Sequence, residues 1–174
     1  MELANTTNTI LSIGTLFLQI VSLLLIVMIF TKDKGKLAKW FSDKSLVLVL
    51  LTMGGSMLAS LFYSEVIGYL PCLLCWYQRI AMYSISIISL VAIVKKTSDD
   101  VWKYISTLAG LGAVVALFHV FSRTTNSEIF DCSASGPSCL QELFTKFGYI
   151  DIPVMSLTAL AFVLILIINR KRFK

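Results

Sequence analysis

The four cysteines of this sequence are the residues best suited to chemistry, and they fall into two pairs. Cys72 and Cys75 form a Cys-x-x-Cys motif, and Cys132 and Cys139 enclose six residues. A Cys-x-x-Cys pair closes a ring that tethers little chain, and it is typically redox-active because its thiols interconvert readily with a disulfide. We therefore interpret Cys72 and Cys75 as a redox pair, and the second pair as either redox-active or a structural disulfide.

Other chemistry at these cysteines fits the sequence less well. A four-cysteine zinc site usually has two short, similar Cys-x-x-Cys pairs, whereas here the pairs are unequal and far apart. Covalent haem attachment requires a histidine directly after the second cysteine, and Trp76 occupies that position. We expect no metal. A non-enzymatic membrane module with structural disulfides or a four-cysteine metal site stays open as the alternative function.

The composition indicates a membrane protein. Hydrophobic residues make up 57% of the 174 residues and charged residues only 14%, whereas a soluble domain has about a quarter charged residues. A membrane span needs roughly 20 apolar residues in a helix. Five runs are long enough, at 10–30, 46–63, 76–94, 101–121 and 153–168. The sequence therefore predicts an all-α integral membrane protein with five spans, the first of them retained rather than cleaved as a signal.

The distribution of Lys and Arg predicts the topology. Twelve of the fifteen lie in 31–45, in 95–103 or after residue 168, which are on one side if five helices alternate. Cytoplasmic loops are enriched in Lys and Arg, so we predict an extracytoplasmic N-terminus and a cytoplasmic C-terminus in the cell membrane. Such clusters between apolar runs indicate topology rather than nucleic-acid binding. All four cysteines then lie on the extracytoplasmic side, where disulfides persist and each pair can form within itself.

The long outer loop at 122–152 contains apolar residues in a periodic pattern. Its apolar residues recur with the spacing of a helical face, which predicts an amphipathic helix of about two turns formed around Leu140, Leu143, Phe144 and Phe147. This helix could lie at the membrane surface or cover the helix bundle. Proline suits the first turn of a helix, so Pro153 is expected to start the last span.

Small residues spaced four apart occur in two of the spans. Gly55-x-x-x-Ala59 and Ser56-x-x-x-Ser60 lie in the second, and Ala109-x-x-x-Ala113 and Gly112-x-x-x-Ala116 lie in the fourth. Lipid gives helices no hydrophobic reason to associate, so small side chains that allow close backbone approach mark helix contacts. We interpret both stripes as packing surfaces of the bundle.

The first cysteine pair is expected at the start of the third span. The N-terminus of a helix presents free N–H groups and a partial positive charge, which stabilise a thiolate and favour reactivity near neutral pH. Arg79 follows Cys75 by four residues and therefore shares its helix face. Its side chain either extends to the membrane interface or holds a ligand oxygen near the sulfurs.

A membrane-dissolved quinone is the expected electron acceptor, because thiols at this depth need a lipid-soluble oxidant and the sequence has no nucleotide-binding or haem motif. A quinone site needs a flat apolar slot with one or two polar groups. We expect side chains around Trp76, Tyr77 and Ile80 to supply the slot. His119, the only histidine, is either a hydrogen-bonded structural residue or a hydrogen-bond donor to a quinone oxygen.

The motif at 71–79, Pro-Cys-Leu-Leu-Cys-Trp-Tyr-Gln-Arg, followed by a second cysteine pair in the next outer loop, resembles the DsbB/BdbC disulfide-bond-formation family. The segment from Ile152 to Leu157 is similar to that family's last helix. The short interval between Cys132 and Cys139 resembles the BdbC branch. The resemblance covers 46–174, which implies a four-helix membrane domain there and an additional N-terminal transmembrane helix with a cytoplasmic loop in 1–45.

The resemblance implies a membrane thiol:quinone oxidoreductase that supports disulfide bond formation. In that family the outer-loop pair, here Cys132–Cys139, takes electrons from a DsbA/BdbD-like thioredoxin-fold thiol oxidase and passes them to the pair Cys72–Cys75. The latter reduces a bound quinone (menaquinone or ubiquinone) from the membrane pool. Arg79 would support quinone binding, with Trp76 and His119 as further candidates, and Cys75 is expected to be the thiolate that donates.

Overall fold

The computed structural model describes residues 2–31, 35–96, 100–126 and 137–173, and most of these residues are helical. Along the chain the helices are α1 (Glu2–Phe30), α2 (Lys36–Asp43), α3 (Ser45–Glu65), α4 (Leu73–Lys95), α5 (Val101–Thr125) and α6 (Ile152–Lys171). All except α2 are long and apolar enough to cross a membrane. The prediction of an all-α protein with five spans is therefore confirmed.

The helices extend beyond the predicted apolar runs, because polar residues at their ends remain helical. α1 already begins at Glu2. The short helix α2 was not predicted, since its alternation of lysines with apolar residues gives no span-like run. Its apolar side buries Ala38, whose carbonyl oxygen accepts a hydrogen bond from Asn169 Nδ2 of α6 at 2.9 Å.

Helix α6 lies at the centre of the bundle and packs against α1, α2, α3 and α5. Its apolar residues, among them Leu160, Val163 and Leu166, form the core together with buried side chains of the other helices. α1 packs along α6 through a stripe of polar side chains and exposes its large apolar residues outward. Gln19 Nε2 donates to Thr158 Oγ1 at 3.1 Å across this contact, which is how polar side chains join helices in lipid.

The two stripes of small residues have different roles. A Cβ atom on Gly112 of α5 would lie 2.8 Å from the Ala81 Cβ, so this stripe is a close packing surface, as predicted. The prediction is wrong for Gly55 of α3, where an added Cβ would have no heavy atom within 4 Å. The preceding Gly54 is the one that approaches α4, with Ser86 Oγ at 3.3 Å, so the packed face of α3 is rotated by one residue from the predicted face.

The first cysteine pair lies at one end of the bundle, which we call the cysteine end. The first residues of α1 lie at the same end, where Lys146 Nζ donates to Asn5 Oδ1 at 2.6 Å. At the opposite end Arg172 Nη1 donates to the Met28 carbonyl at 3.0 Å. Most of the described lysines and arginines lie near this second end, in keeping with the predicted topology. Which end faces the cytoplasm stays a prediction.

The loop that precedes α6 is not the amphipathic helix that its periodicity predicted. Residues 137–151 contain no helix. Phe147 and Gly148 adopt left-handed φ angles of +52° and +81°, and Lys146 and Ile150 exchange backbone hydrogen bonds across the turn. A helix cannot continue through these left-handed residues, and residues 141–145 before them have no regular secondary structure. Leu140, Leu143 and Phe144 are half-buried against the bundle, where the Phe144 ring lies 5.9 Å from that of Tyr63, whereas Phe147 is exposed.

Candidate active site

Cys72 and Cys75 stand at the start of α4, as predicted from the sequence. Cys72 is the N-cap residue, with an extended backbone (φ −74°, ψ 172°), and its sulfur accepts a hydrogen bond from the Cys75 backbone N–H at 3.4 Å. Both are free thiols, and their sulfur atoms are 2.8 Å apart. Cys72 is buried and Cys75 is half-buried. The predicted Cys72–Cys75 disulfide would form between two side chains that are already adjacent.

The surroundings of Cys72 favour its thiolate. The hydrogen bond from the Cys75 thiol is the strongest influence that lowers the pKa of Cys72, and His119 and the Cys75 backbone N–H lower this pKa further against the opposing effect of burial. Hydrogen bonds that stabilise the charged form of a group shift its pKa in this direction. Cys72 is therefore the member of the pair that is suited to nucleophilic attack on a disulfide.

A buried polar chain connects α4, α5 and α6 behind Cys72. His119 Nε2 lies 3.1 Å from the Cys139 carbonyl oxygen and 4.0 Å from the Cys72 sulfur. Because a carbonyl oxygen can only accept, Nε2 carries the hydrogen and Nδ1 accepts from Gln78 Nε2 at 3.1 Å. Ser156 donates in turn to Gln78 Oε1. The chain thereby holds the His119 ring with its N–H directed at the cysteine end.

Cys139 is brought to the same place by the outer loop. It is disulfide-bonded, buried, and packed in one apolar cluster with Cys72 and Leu74. Its predicted partner, Cys132, lies outside the described residues. The loop is held nearby by Arg123, which donates to the Gln141 carbonyl at 2.8 Å and lies 3.3 Å from the Asp151 carboxylate. We call the small space that these residues enclose with Cys72 and His119 the Cys139 pocket, which also reaches Cys75.

A much larger cavity lies on the other side of Cys75, and we call it the Cys75 cavity. Its volume is about 380 Å³, within the roughly 300–1,000 Å³ of small-molecule sites. Residues of α1, α3, α4 and α6 line it. Cys75, Gln78 and Arg79 lie on its α4 wall, and its other walls are largely aliphatic or formed by small residues. This cavity could hold a flat apolar ligand beside the Cys75 sulfur.

Arg79 is buried and lines the Cys75 cavity. Its Nε and Nη2 atoms donate to the hydroxyl and the carbonyl of Ser60, both at 2.8 Å. These bonds use two of the five N–H donors of a guanidinium, so others remain for a ligand oxygen. Of the two roles that the sequence left open for Arg79, a position against a ligand cavity is the one that its burial favours.

The other predicted ligand residues lie elsewhere. Trp76, Tyr77 and Ile80 are exposed and are not among the residues that line the Cys75 cavity. Trp76 approaches this site through Arg79, whose guanidinium carbon lies 5.3 Å from the indole ring. His119 lines the Cys139 pocket instead. The structure therefore brings Arg79 to Cys75, and His119 to Cys72 and Cys139.

The side chains of Cys72, Cys75 and His119 are close enough to be considered as metal ligands. Their sulfur and ring nitrogen atoms all lie within 4.8 Å of one another. However, both ring nitrogens of His119 have hydrogen-bond partners, and the sulfur of Cys139 belongs to a disulfide. A zinc site would need a deprotonated ring nitrogen and thiolates. The arrangement therefore fits thiol–disulfide chemistry better than a four-cysteine metal site.

Three contributors to the site were not identified as functional from the sequence. Gln78 and Ser156 orient His119, and Ser60 orients Arg79. Each is a polar residue inside an apolar span, which is the signal that could have identified them, because polar groups in a membrane helix need partners. Which partners they meet depends on how α3, α4, α5 and α6 pack together.

Sequence comparisons place this site in a known family. The family described as "Disulfide bond formation protein DsbB" matches residues 42–169. The SPbeta prophage-derived disulfide bond formation protein B of Bacillus subtilis is 38% identical over 133 residues, which cover 74% of this chain and 88% of that protein. Disulfide bond formation protein C of Bacillus subtilis is 38% identical over 114 residues, 64% of this chain and 80% of that protein.

A third relative, from Oceanobacillus iheyensis, is a "Probable disulfide formation protein" that is 36% identical over 138 residues, 75% of this chain and 92% of that protein. No solved structure was found that matches the chain. The family match includes both cysteine pairs, Arg79 and His119. The chain belongs to the DsbB family of disulfide bond formation proteins, and it is a multi-pass membrane oxidoreductase that acts in disulfide formation.

Proposed function

We propose that this protein is a thiol:quinone oxidoreductase of the cell membrane that reoxidises an extracytoplasmic thioredoxin-fold thiol oxidase. The observation that carries the proposal is the position of the Cys72–Cys75 pair between two spaces. The Cys139 pocket, with its disulfide-bonded cysteine, lies on one side, and the Cys75 cavity with Arg79 lies on the other. A pair in this position can take electrons from the cysteines of the outer loop and deliver them to a ligand in the Cys75 cavity.

The proposed reaction consists of three two-electron exchanges. The two thiols of the partner oxidase reduce the Cys132–Cys139 disulfide, and the partner leaves with its own disulfide restored. The new Cys132 and Cys139 thiols then reduce the Cys72–Cys75 disulfide. Finally the Cys72 and Cys75 thiols are reoxidised to a disulfide, and their two electrons and two protons pass to a quinone, which becomes a quinol. The first two exchanges proceed by attack of a thiolate on a disulfide sulfur. The third transfers electrons and protons to the quinone.

The two cysteines of the pair have separate roles in this proposal. Cys72 exchanges with the loop disulfide, because it packs against Cys139 and its thiolate is stabilised by His119. Cys75 delivers electrons to the acceptor, because its side chain lines the Cys75 cavity and that of Cys72 does not. The assignment agrees with the expectation that Cys75, four residues before Arg79, is the donor to the quinone.

A membrane quinone fits the Cys75 cavity. A quinone supplies two carbonyl oxygens that accept protons and a flat ring that accepts two electrons. The guanidinium of Arg79 can donate to one carbonyl oxygen, and the largely apolar walls suit the ring. Both menaquinone and ubiquinone have these features, so the proposal includes either. The cysteine end would then face the extracytoplasmic side, where the partner oxidase oxidises the thiols of its substrates.

The experiment is a quinone-reduction assay on the purified full-length protein in detergent. A reduced thioredoxin-fold thiol oxidase is the electron donor, and quinone loss is followed by absorbance. We expect quinone reduction that depends on both donor and protein, and a Cys75→Ser variant that reduces no quinone. A Cys75→Ser variant with wild-type quinone reduction would refute the assignment of Cys75. Absence of reduction by the wild type, with one zinc bound per chain, would favour the non-enzymatic module instead.

A further inference from the structure

Helix α1 lies outside the part of the chain that matches the family. The match begins at residue 42, whereas α1 ends at Phe30. This helix nevertheless packs along α6 and lines the Cys75 cavity with Leu11, Gly14, Thr15 and Leu18. One wall of the proposed quinone site is therefore formed by a helix that the matched domain does not contain.

The Cys75 cavity is closed on most sides by helices that pack against each other. α3 packs on α4, and both α1 and α3 pack on α6. Among the described residues, α1 and α3 are not a pair in extensive contact, although they face each other across the cavity. Leu51 on the α3 side of this gap and Gly14 on the α1 side are exposed. The gap therefore opens from the cavity toward the lipid.

Two glycines border this gap, Gly14 on α1 and Gly55 on α3. A Cβ atom on either would have no heavy atom within 4 Å, so neither glycine is required for helix packing. Gly112 differs, because a Cβ there would overlap with Ala81. Glycine is an unfavourable residue inside a helix. Its presence on both sides of an open gap leaves room there for a ligand, beside a cavity that holds Cys75 and Arg79.

We propose that the isoprenoid tail of the quinone leaves the Cys75 cavity through the gap between α1 and α3, and that α1 is the wall that binds it. The inference rests on the proposed function. A cavity of about 380 Å³ cannot hold the whole of a long isoprenoid tail together with a ring beside Cys75 and Arg79, so the tail has to continue into lipid. Among the described residues, the helices on either side of the α1–α3 gap make no extensive contact. Tail binding by α1 would be particular to this chain, because α1 lies outside the matched domain.

Leucine substitutions at the two glycines test the route. Gly14→Leu and Gly55→Leu narrow the gap, and Gly110→Leu is the matched control, because Gly110 also has open space around its Cβ but does not line the cavity. Each full-length variant is assayed with a quinone that bears several isoprene units and with the same ring without a tail. Thermal unfolding and gel filtration report whether each variant folds.

We expect the KM for the tailed quinone to rise about tenfold in Gly14→Leu and Gly55→Leu, with the KM for the tailless quinone nearly unchanged. Gly110→Leu should behave as the wild type with both. Equal KM values for the tailed quinone in all folded variants would overturn the α1 inference while leaving the quinone reaction intact. Loss of both quinones in the gap variants would also overturn it, since the leucines would then exclude the ring.

Photocrosslinking gives a second measurement that requires no variant. A quinone with a photoreactive group on its tail is bound to the wild-type protein, irradiated, and the labelled peptides are identified by mass spectrometry. We expect labels in α1 and α3, and labels confined to α5 would contradict the route. A wild-type protein that reduces neither the tailed nor the tailless quinone would refute the proposed function itself, which separates that failure from failure of the α1 inference.

Discussion

The two sulfurs of the Cys-x-x-Cys pair are only 2.8 Å apart and both residues line the Cys139 pocket, yet only Cys75 also lines the Cys75 cavity. On the Cys72 side the space is small and polar contacts are dense, with His119 held by Gln78 and by the Cys139 carbonyl. On the Cys75 side a cavity of about 380 Å³ is lined mainly by aliphatic and small residues, with Arg79 as its charged group. One helical turn separates the two environments.

This difference shows how one cysteine pair can serve two partners. Exchange with a disulfide requires a thiolate and a fixed approach, and the hydrogen bonds around Cys72 supply both. Transfer to a lipid-soluble ring requires an apolar space and a donor for the ring oxygen, and the Cys75 cavity supplies these. Since α4 begins between Cys72 and Cys75, the start of the helix would separate the two proposed functions.

The most severe test of this division replaces each cysteine of the pair. Both Cys72→Ser and Cys75→Ser should lower quinone reduction by more than about a thousandfold, because each removes one of the sulfurs that must form the disulfide. The covalent intermediate that accumulates should differ between the two variants. In Cys75→Ser the remaining Cys72 thiolate is expected to accumulate as a mixed disulfide with the loop pair, which mass spectrometry of non-reduced peptides detects.

The Cys72→Ser variant is the matched control for that trapped species. Its remaining Cys75 lines the Cys75 cavity as well as the Cys139 pocket and is only partly buried beside the Cys72–Cys139 cluster, so less mixed disulfide with the loop should form. Equal amounts of mixed disulfide in the two variants would show that both sulfurs reach the loop, and the proposed division would be wrong.

Arg79 tests the Cys75 side alone. Arg79→Met should raise the KM for quinone about tenfold to a hundredfold, since a hydrogen bond to a charged group contributes roughly 1.5–3 kcal/mol. Arg79→Lys should recover only part of the loss, because lysine lacks the planar set of donors that binds Ser60 and a ligand together. The rate of disulfide exchange between the partner oxidase and the loop should not change. A slowed exchange would contradict the separation of the two sides.

The pH dependence of Cys72 alkylation tests the other side. The ordinary pKa of a cysteine thiol is about 8.5. Because the pKa of Cys72 is lowered, its reactive thiolate persists at pH values below about 8.5 and is protonated only when the pH falls further. Cys75→Ala removes the strongest hydrogen bond and should move the midpoint upward by about one pH unit or more. His119→Leu should move it upward by less. Iodoacetamide rates followed by mass spectrometry measure both, and an unchanged midpoint in Cys75→Ala would exclude this cause.

The fold was largely predictable because its main signals are local. Span length and apolarity identified all five membrane helices, although polar ends such as Glu2 of α1 extend beyond the apolar runs. The loop helix around Leu143 was wrong, since periodicity does not register the left-handed turn at Phe147 and Gly148. The same four-residue spacing of small residues marks packing at Gly112 and open space at Gly55, because sequence does not show how a helix is rotated.

The site was predictable only where its parts are close in sequence. The positions of Cys72 and Cys75 at a helix start, and of Arg79 on the same face, follow from their spacing along one helix. The contacts of His119 do not, because Gln78 and Ser156 come from other helices, 41 residues before it and 37 after it. Pairing across such distances depends on tertiary packing, so the sequence left His119 open between a structural role and a quinone contact.

The smallest effect concerns Ser156, which acts on Cys72 only through Gln78 and His119. Ser156→Ala removes a neutral hydrogen bond worth roughly 1 kcal/mol, so the exchange rate of Cys72 with the loop should fall about fivefold. The alkylation midpoint of Cys72 should also move slightly upward, and Ser156→Thr should restore both. A purely structural serine would change thermal stability without moving this midpoint.

Ser89 provides the matched control for that variant, because it is a fully buried serine of α4 whose hydroxyl has no hydrogen-bond partner among the described residues. Ser89→Ala should leave both the exchange rate and the midpoint at their wild-type values, since removing an unpaired buried hydroxyl disturbs no chain of hydrogen bonds. If Ser89→Ala and Ser156→Ala slowed the exchange equally, the effect would come from general loosening of the bundle. If only Ser156→Ala slowed it, the orientation of His119 through three helices would be part of how Cys72 is made reactive.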